Sequence, residues 1–195
     1  PDPFWPRAIA RVREQFPGFL FMAEVYWDLE WRMQQEGFDY AYDKRLYDRL
    51  RDQHARPVRE HFHAGLDYQD RLARFLENHD EPRAASTFEP PVHEAAAVIT
   101  FFSPGLRFLH HGQIEARRRR ISPHLVGAPQ EATDDRLHRF YSRLLAALKH
   151  AAVRDGHWHL LECTPAWDGN WTNNCFIAFP WQSPDGPPLV VIVFI

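Results

Sequence analysis

Glu24 follows the apolar run Phe19, Leu20, Phe21, Met22 and Ala23, and Asn78, His79 and Asp80 close a second run built from Leu72, Ala73, Phe75 and Leu76. A carboxylic acid can give or take a proton, and so can an imidazole. Each apolar run has the length and composition of a strand covered on both faces. Pro82 cannot continue the second ladder, so the polar cluster must sit at that strand's carboxyl end. α/β enzymes place reacting groups at that rim. Tyr26 and Trp27 come directly after Glu24, where a ring could line a cleft or pack on the next helix.

Other spacings carry less chemistry. The four arginines at 117–120 lack interleaved aromatics and read as a solvated stretch. His61 and His63 lie two apart on an expected helix and so face different ways, a poor metal pair. His157 and His159 would share a face on a strand, yet no Cys-His metal spacing, glycine-rich phosphate loop or serine-nucleophile motif stands out. Arg83 could orient Asp80 or pair with Glu81, and an ordinary ion pair is expected.

The elements that must hold these groups alternate. Residues 1–15 read as a helix with Asp2 as N-cap, Pro3 in the first turn and Phe4, Ile9, Val12 and Phe16 on one face, ended by Pro17 and Gly18. After the strand that ends at Glu24 come a helix over 28–36 closed by Gly37, a strand over 38–42, and helices over 44–52 and 57–65. The strand from Leu72, a helix over 93–102 and a strand over 106–109 complete the series. Strands separated by helices predict a parallel sheet. The pattern then changes. Residues 134–150 form an amphipathic helix through Leu137, Phe140, Tyr141, Leu144, Leu145 and Leu148, and Gly156 stops it. Runs at 157–162, 174–181 and 189–195, split by turn clusters at 168–170 and 183–186, predict antiparallel strands.

Composition narrows the class. A net charge of -3 over 195 residues, with 45% hydrophobic and 25% charged, fits a soluble globular protein and calls for neither nucleic acid nor membrane. No apolar run reaches the ~18 residues of a membrane-spanning helix, and no leader pattern opens the sequence. Cys163 and Cys175 are expected as reduced packing residues, which favours a cytoplasmic origin. Most of the seven Trp and fifteen Phe are expected in the core.

The stretches FMAEVYW at 21–27 and FLENHDEPR at 75–83 resemble two signature regions of the α-amylase superfamily, glycoside hydrolase family 13, and FLHHGQ at 108–113 resembles the end of that family's eighth strand. The resemblance implies that Glu24 is the general acid/base, and that His79 and Asp80 grip the sugar at the point of cleavage, with Asn78, Tyr26 and Trp27 at the substrate. It implies the C-terminal half, strands five to eight, of a TIM (β/α)8 barrel over residues 1–150, followed by part of a small antiparallel β domain over 151–195. The nucleophilic Asp of the fourth strand would then lie upstream, so the chain reads as a fragment that is inactive alone. The expected partners are an α-glucan or α-glucoside and either the missing half-barrel or a second copy. Neither cofactor nor metal is expected. The alternative is a non-catalytic half-barrel that binds carbohydrate or only self-associates.

Overall fold

The computed structural model describes residues 3–122, 124, 127–183 and 185–195. The expected N-cap Asp2 and the turn residue Pro184 lie outside the described residues. The first part of the chain runs α1 (Phe4–Gln15), β1 (Met22–Ala23), α2 (Glu30–Gln35), β2 (Tyr40–Tyr42), α3 (Lys44–Arg51), α4 (Ala55–His61), α5 (Leu66–Gln69), β3 (Leu72–Arg74), α6 (Ala84–Thr87), α7 (Pro90–Phe102) and β4 (Leu106–Arg107). After it come α8 (Asp135–Ala147), α9 (Ala151–Asp155), β5 (His157–Trp158), a 3-10 turn (Thr172–Cys175), β6 (Phe176–Gln182) and β7 (Leu189–Phe194).

The strands β1, β2, β3 and β4 form a parallel sheet in sequence order, with Ala23 beside Ala41, Tyr42 beside Ala73 and Arg74 beside Arg107. Each strand returns through helices, as parallel pairing requires. All four carboxyl ends therefore share one rim. The strands β5, β6 and β7 form an antiparallel sheet, and Trp158 pairs with Trp181.

Caps explain several boundaries. Asp43 accepts from the Leu46 amide at 3.1 Å and starts α3, and Asp134 accepts from the Arg136 and Leu137 amides at the start of α8. Pro90 and Pro91 open α7, where a missing amide proton costs nothing. One apolar core connects the two sheets: Tyr42, Phe75, Phe101, Phe179 and Trp181 belong to it. The Trp181 indole donates to the Phe102 carbonyl at 2.7 Å, and Arg59 donates to the carbonyls of Asn173, Asn174 and Phe176.

Some expected elements shrink. Only Met22 and Ala23 of the run 19–23 pair, and Phe19, Leu20 and Met22 are exposed because β1 lies at the sheet edge. On α1 only Ile9 is buried, with Phe4 and Phe16 open to solvent. The helix expected over 57–65 starts at Ala55 and ends at His61, with Pro57 in its first turn. The helix expected from Asp28 begins at Glu30, because Trp27 and Asp28 take left-handed backbone angles (φ 59° and 67°). The long helix of 134–150 ends at Ala147, and Gly156 instead caps the separate α9. Only the first two residues of the run 157–162 pair as a strand. Both cysteines are free thiols. No helix among the described residues is long and apolar enough to cross a membrane.

Candidate active site

Glu24 is the first residue beyond β1, and the turn of residues 77–83 leaves the same rim beyond β3, with β2 between them. His79 Nε2 lies 3.7 Å from Glu24 Oε1 and 3.4 Å from Asp80 Oδ2, so the imidazole stands between the two carboxylates. The Tyr26 hydroxyl donates to Glu24 Oε1 at 2.9 Å. Burial first, and then that hydrogen bond and the charges of Glu24 and Asp80, push the Tyr26 phenol well above its ordinary value. At neutral pH it is therefore a donor, holding one carboxylate oxygen in place.

Asn78 is buried, and its Oδ1 accepts from the Asp80 and Glu81 amides at 2.9 and 2.8 Å. Its side chain shapes the turn that presents His79 and Asp80. The side chains of Glu24, His79 and Asp80 stay between 41 and 54% exposed, open to a ligand. Beside them runs a cleft of about 520 Å³, lined by Tyr26, Trp27, Lys44, Arg45, Asp80 and Glu81. Trp27, 86% exposed, does not pack on α2; its ring stands at 74° to that of Tyr26.

The ion pairs around the turn differ from expectation. Arg83 pairs with neither Asp80 nor Glu81: it is buried, with Nη2 3.0 Å from Glu77 Oε1, because the chain turns its side chain inward beneath the loop after β4. Glu81 pairs with Lys44 at 3.0 Å. Arg120, from the arginine run, reaches back to the His79 carbonyl at 3.4 Å and to Asp80 Oδ1 at 3.8 Å. The spacing 61/63 splits as expected, with His61 buried and His63 exposed.

Glu24, His79 and Asp80 bring one ligating atom each within 4.8 Å of one another. The set has donors for a divalent cation, but its carboxylates are exposed and already engage Tyr26, His79 and Arg120, an arrangement that serves hydroxyl recognition equally well.

The two carboxylates and the imidazole thus share the carboxyl rim of a parallel sheet whose strands alternate with helices. Solved structures of α-amylase-type enzymes share the fold over nearly the whole chain. A debranching enzyme from Nostoc punctiforme matches with a TM-score of 0.76 and 16% identity, covering 98% of this chain and 44% of its own. A cyclic α-maltosyl-(1→6)-maltose hydrolase from Arthrobacter globiformis matches with a TM-score of 0.74, 18% identity and coverage of 97% and 45%. A maltogenic α-amylase from Thermotoga neapolitana matches with a TM-score of 0.71, 19% identity and coverage of 97% and 45%. The chain thus spans under half the length of these structures. No family model matches the sequence, and no curated protein sequence matches it.

Proposed function

We propose that the chain carries the proton-donating side of a retaining site for α-glucosidic bonds, on strands five to eight of a (β/α)8 barrel, with a small antiparallel domain beginning near residue 151. Glu24 gives its proton to the leaving oxygen. Asp80 and His79 hold the hydroxyls beside the reacting carbon and tighten as the ring flattens, so they act on the transition state more than on the bound sugar. Tyr26 fixes Glu24, and Trp27 offers an aromatic face to the leaving-group side. The observation that carries this reading is the convergence of Glu24, His79 and Asp80 within 4.8 Å at the ends of next-but-one parallel strands.

A retaining mechanism needs a second carboxylate ~5–5.5 Å from the first to attack the anomeric carbon. On this reading that Asp comes from a segment outside these 195 residues, and the substrate is an α-glucan or short α-glucoside. The isolated chain then binds maltotriose without cleaving an activated α-glucoside. Binding is followed through the Trp27 indole and His79 ring resonances; unmoved resonances at millimolar sugar would sink the reading. Turnover by the isolated chain, abolished in Glu24→Gln, would refute the assignment of the nucleophile to another segment.

A second reading, a half-barrel that only associates, is favoured by the exposed Phe19, Leu20 and Met22 along the β1 edge. It predicts a dimer in light scattering and no response to maltotriose.

A further inference from the structure

Glu77 sits two residues before His79, is 1% exposed, and plays no part in the sugar-gripping chemistry above. Its Oε2 accepts from the Ala84 amide at 2.6 Å, closing a loop of seven residues around the His79–Asp80 turn. Its Oε1 meets Arg83 Nη2 at 3.0 Å and His110 Nδ1 at 3.2 Å. Arg83, equally buried, donates onward to the His111 carbonyl at 3.0 Å and to the Arg117 carbonyl at 3.3 Å, and touches His110 Nδ1 at 3.1 Å. A side chain at Gly112 would meet Arg83 Nη2 at 2.6 Å, so the loop after β4 is closed down on the guanidinium. The base of the turn is thereby tied to the end of the next strand.

We propose that Glu77 is a positioning residue: through Ala84, Arg83 and His110 it fixes the turn that presents His79 and Asp80, and the charge on Glu77 sets how firmly that turn is held. The inference deepens the sugar-site reading and rests on it for its consequence in binding. Ionised Glu77 accepts charge-assisted bonds from Arg83 and the Ala84 amide, whereas neutral Glu77 accepts weaker ones. Burial outweighs the pull of Ala84 and Arg83 and pushes its carboxyl up to about 7, so the closed turn is held more firmly while Glu77 is neutral. The groups that face it are Arg83 before α6, His110 after β4 with His111 and His79 beyond it, and Tyr141 on α8.

The test compares the wild-type chain with Glu77→Gln, which keeps the shape and removes the charge, between pH 6 and 8. Two readouts are taken: the dissociation constant for maltotriose, and amide hydrogen exchange at Asp80, Glu81 and Ala84 corrected for intrinsic rates. In the wild type, affinity and protection at these amides fall together by about tenfold from pH 6 to 8, because opening the turn releases Glu77 to water, where it ionises more readily. In Glu77→Gln both stay at their low-pH values, while protection of the α7 amides is unchanged. A purely structural Glu77 would give the variant a uniform loss with the same pH step, and that result overturns the proposal. If the wild-type chain binds no sugar, the functional reading fails, and the exchange profile alone still decides the role of Glu77.

Discussion

Tyr26 and Glu24, two residues apart at the end of β1, meet through a 2.9 Å hydrogen bond from phenol to carboxylate. The phenol is held above its ordinary value by burial first and then by Glu24. Glu24→Gln removes the hydrogen bond to a charge and the charge itself, leaving burial and Asp80. The Tyr26 titration should move down toward 10 without reaching it. Tyrosinate absorbance followed from pH 9 to 12.5 measures this, and an unchanged last step would mean that the bond is not formed in solution.

Stability against pH follows from three buried groups. Burial pushes His61 down to about 3 and His93 to about 4, while Glu77 is pushed up to about 7. Each histidine contributes stability that is present above its unfolded value and is lost as pH falls through the folded one. Glu77 does the reverse: its contribution is present below the ordinary carboxylate range and is lost as pH rises through about 7. Between pH 5 and 6.5 these terms oppose. Glu77→Gln leaves the histidines unopposed, so its unfolding free energy should climb more steeply with pH than the wild type's, by roughly 1.4 kcal/mol per pH unit. Urea unfolding at pH 5.0, 5.75 and 6.5 gives both slopes, and equal slopes would contradict the assignment.

Arg74 lies within β3 and is wholly buried. It donates to Asp43, to the Gln69 side chain and, at 3.0 Å, to the Pro104 carbonyl. His61 Nε2 lies 2.9 Å from both Arg74 Nη1 and Asp43 Oδ2, and burial pushes the ring down to about 3, so it is neutral at ordinary pH. Arg74→Met strands the Asp43 carboxylate without its counter-charge, at a cost of about 3–5 kcal/mol. Adding Asp43→Asn removes the stranded charge and should restore part of that loss. Urea unfolding of the single and double variants tests this; a double variant less stable than Arg74→Met alone would refute the account.

The rim positions of Glu24 and Asp80 are legible because each ends an apolar run, and a strand that must stop leaves its polar residue at the rim. The Arg74 network is not. Its partners Asp43, His61 and Gln69 are 31, 13 and 5 residues away, so no local period exposes them, and Arg74 reads only as an interruption of the run. Arg83 was misassigned for a related reason: proximity in sequence favours Glu81, while the fold carries the guanidinium inward to Glu77. The run 19–23 looked covered on both faces, and apolar composition cannot tell a central strand from the edge strand β1. The short α5 and α6 carry too few residues for a helical period to show.

Gly105 tests how tightly the last parallel strand is seated. It precedes β4 with φ at +111°, a backbone that side-chain-bearing residues avoid. A Cβ there would lie 2.4 Å from the Leu72 carbonyl oxygen and 3.0 Å from that of Gln69. Both obstacles are backbone, Leu72 at the start of β3 and Gln69 at the end of α5, and both residues are buried, so neither can swing aside. Gly105→Ala must therefore push β4 away from β3, stretching the 2.8 Å bond from the Phe108 amide to the Arg74 carbonyl. Strain and lost pairing together should cost roughly 3 kcal/mol. The damage should reach the rim, because the loop that holds Arg83 and Glu77 hangs from the end of β4. Melting of Gly105→Ala within a degree or two of wild type, with unchanged exchange at Phe108, would show that the approach of the two strands is looser than described.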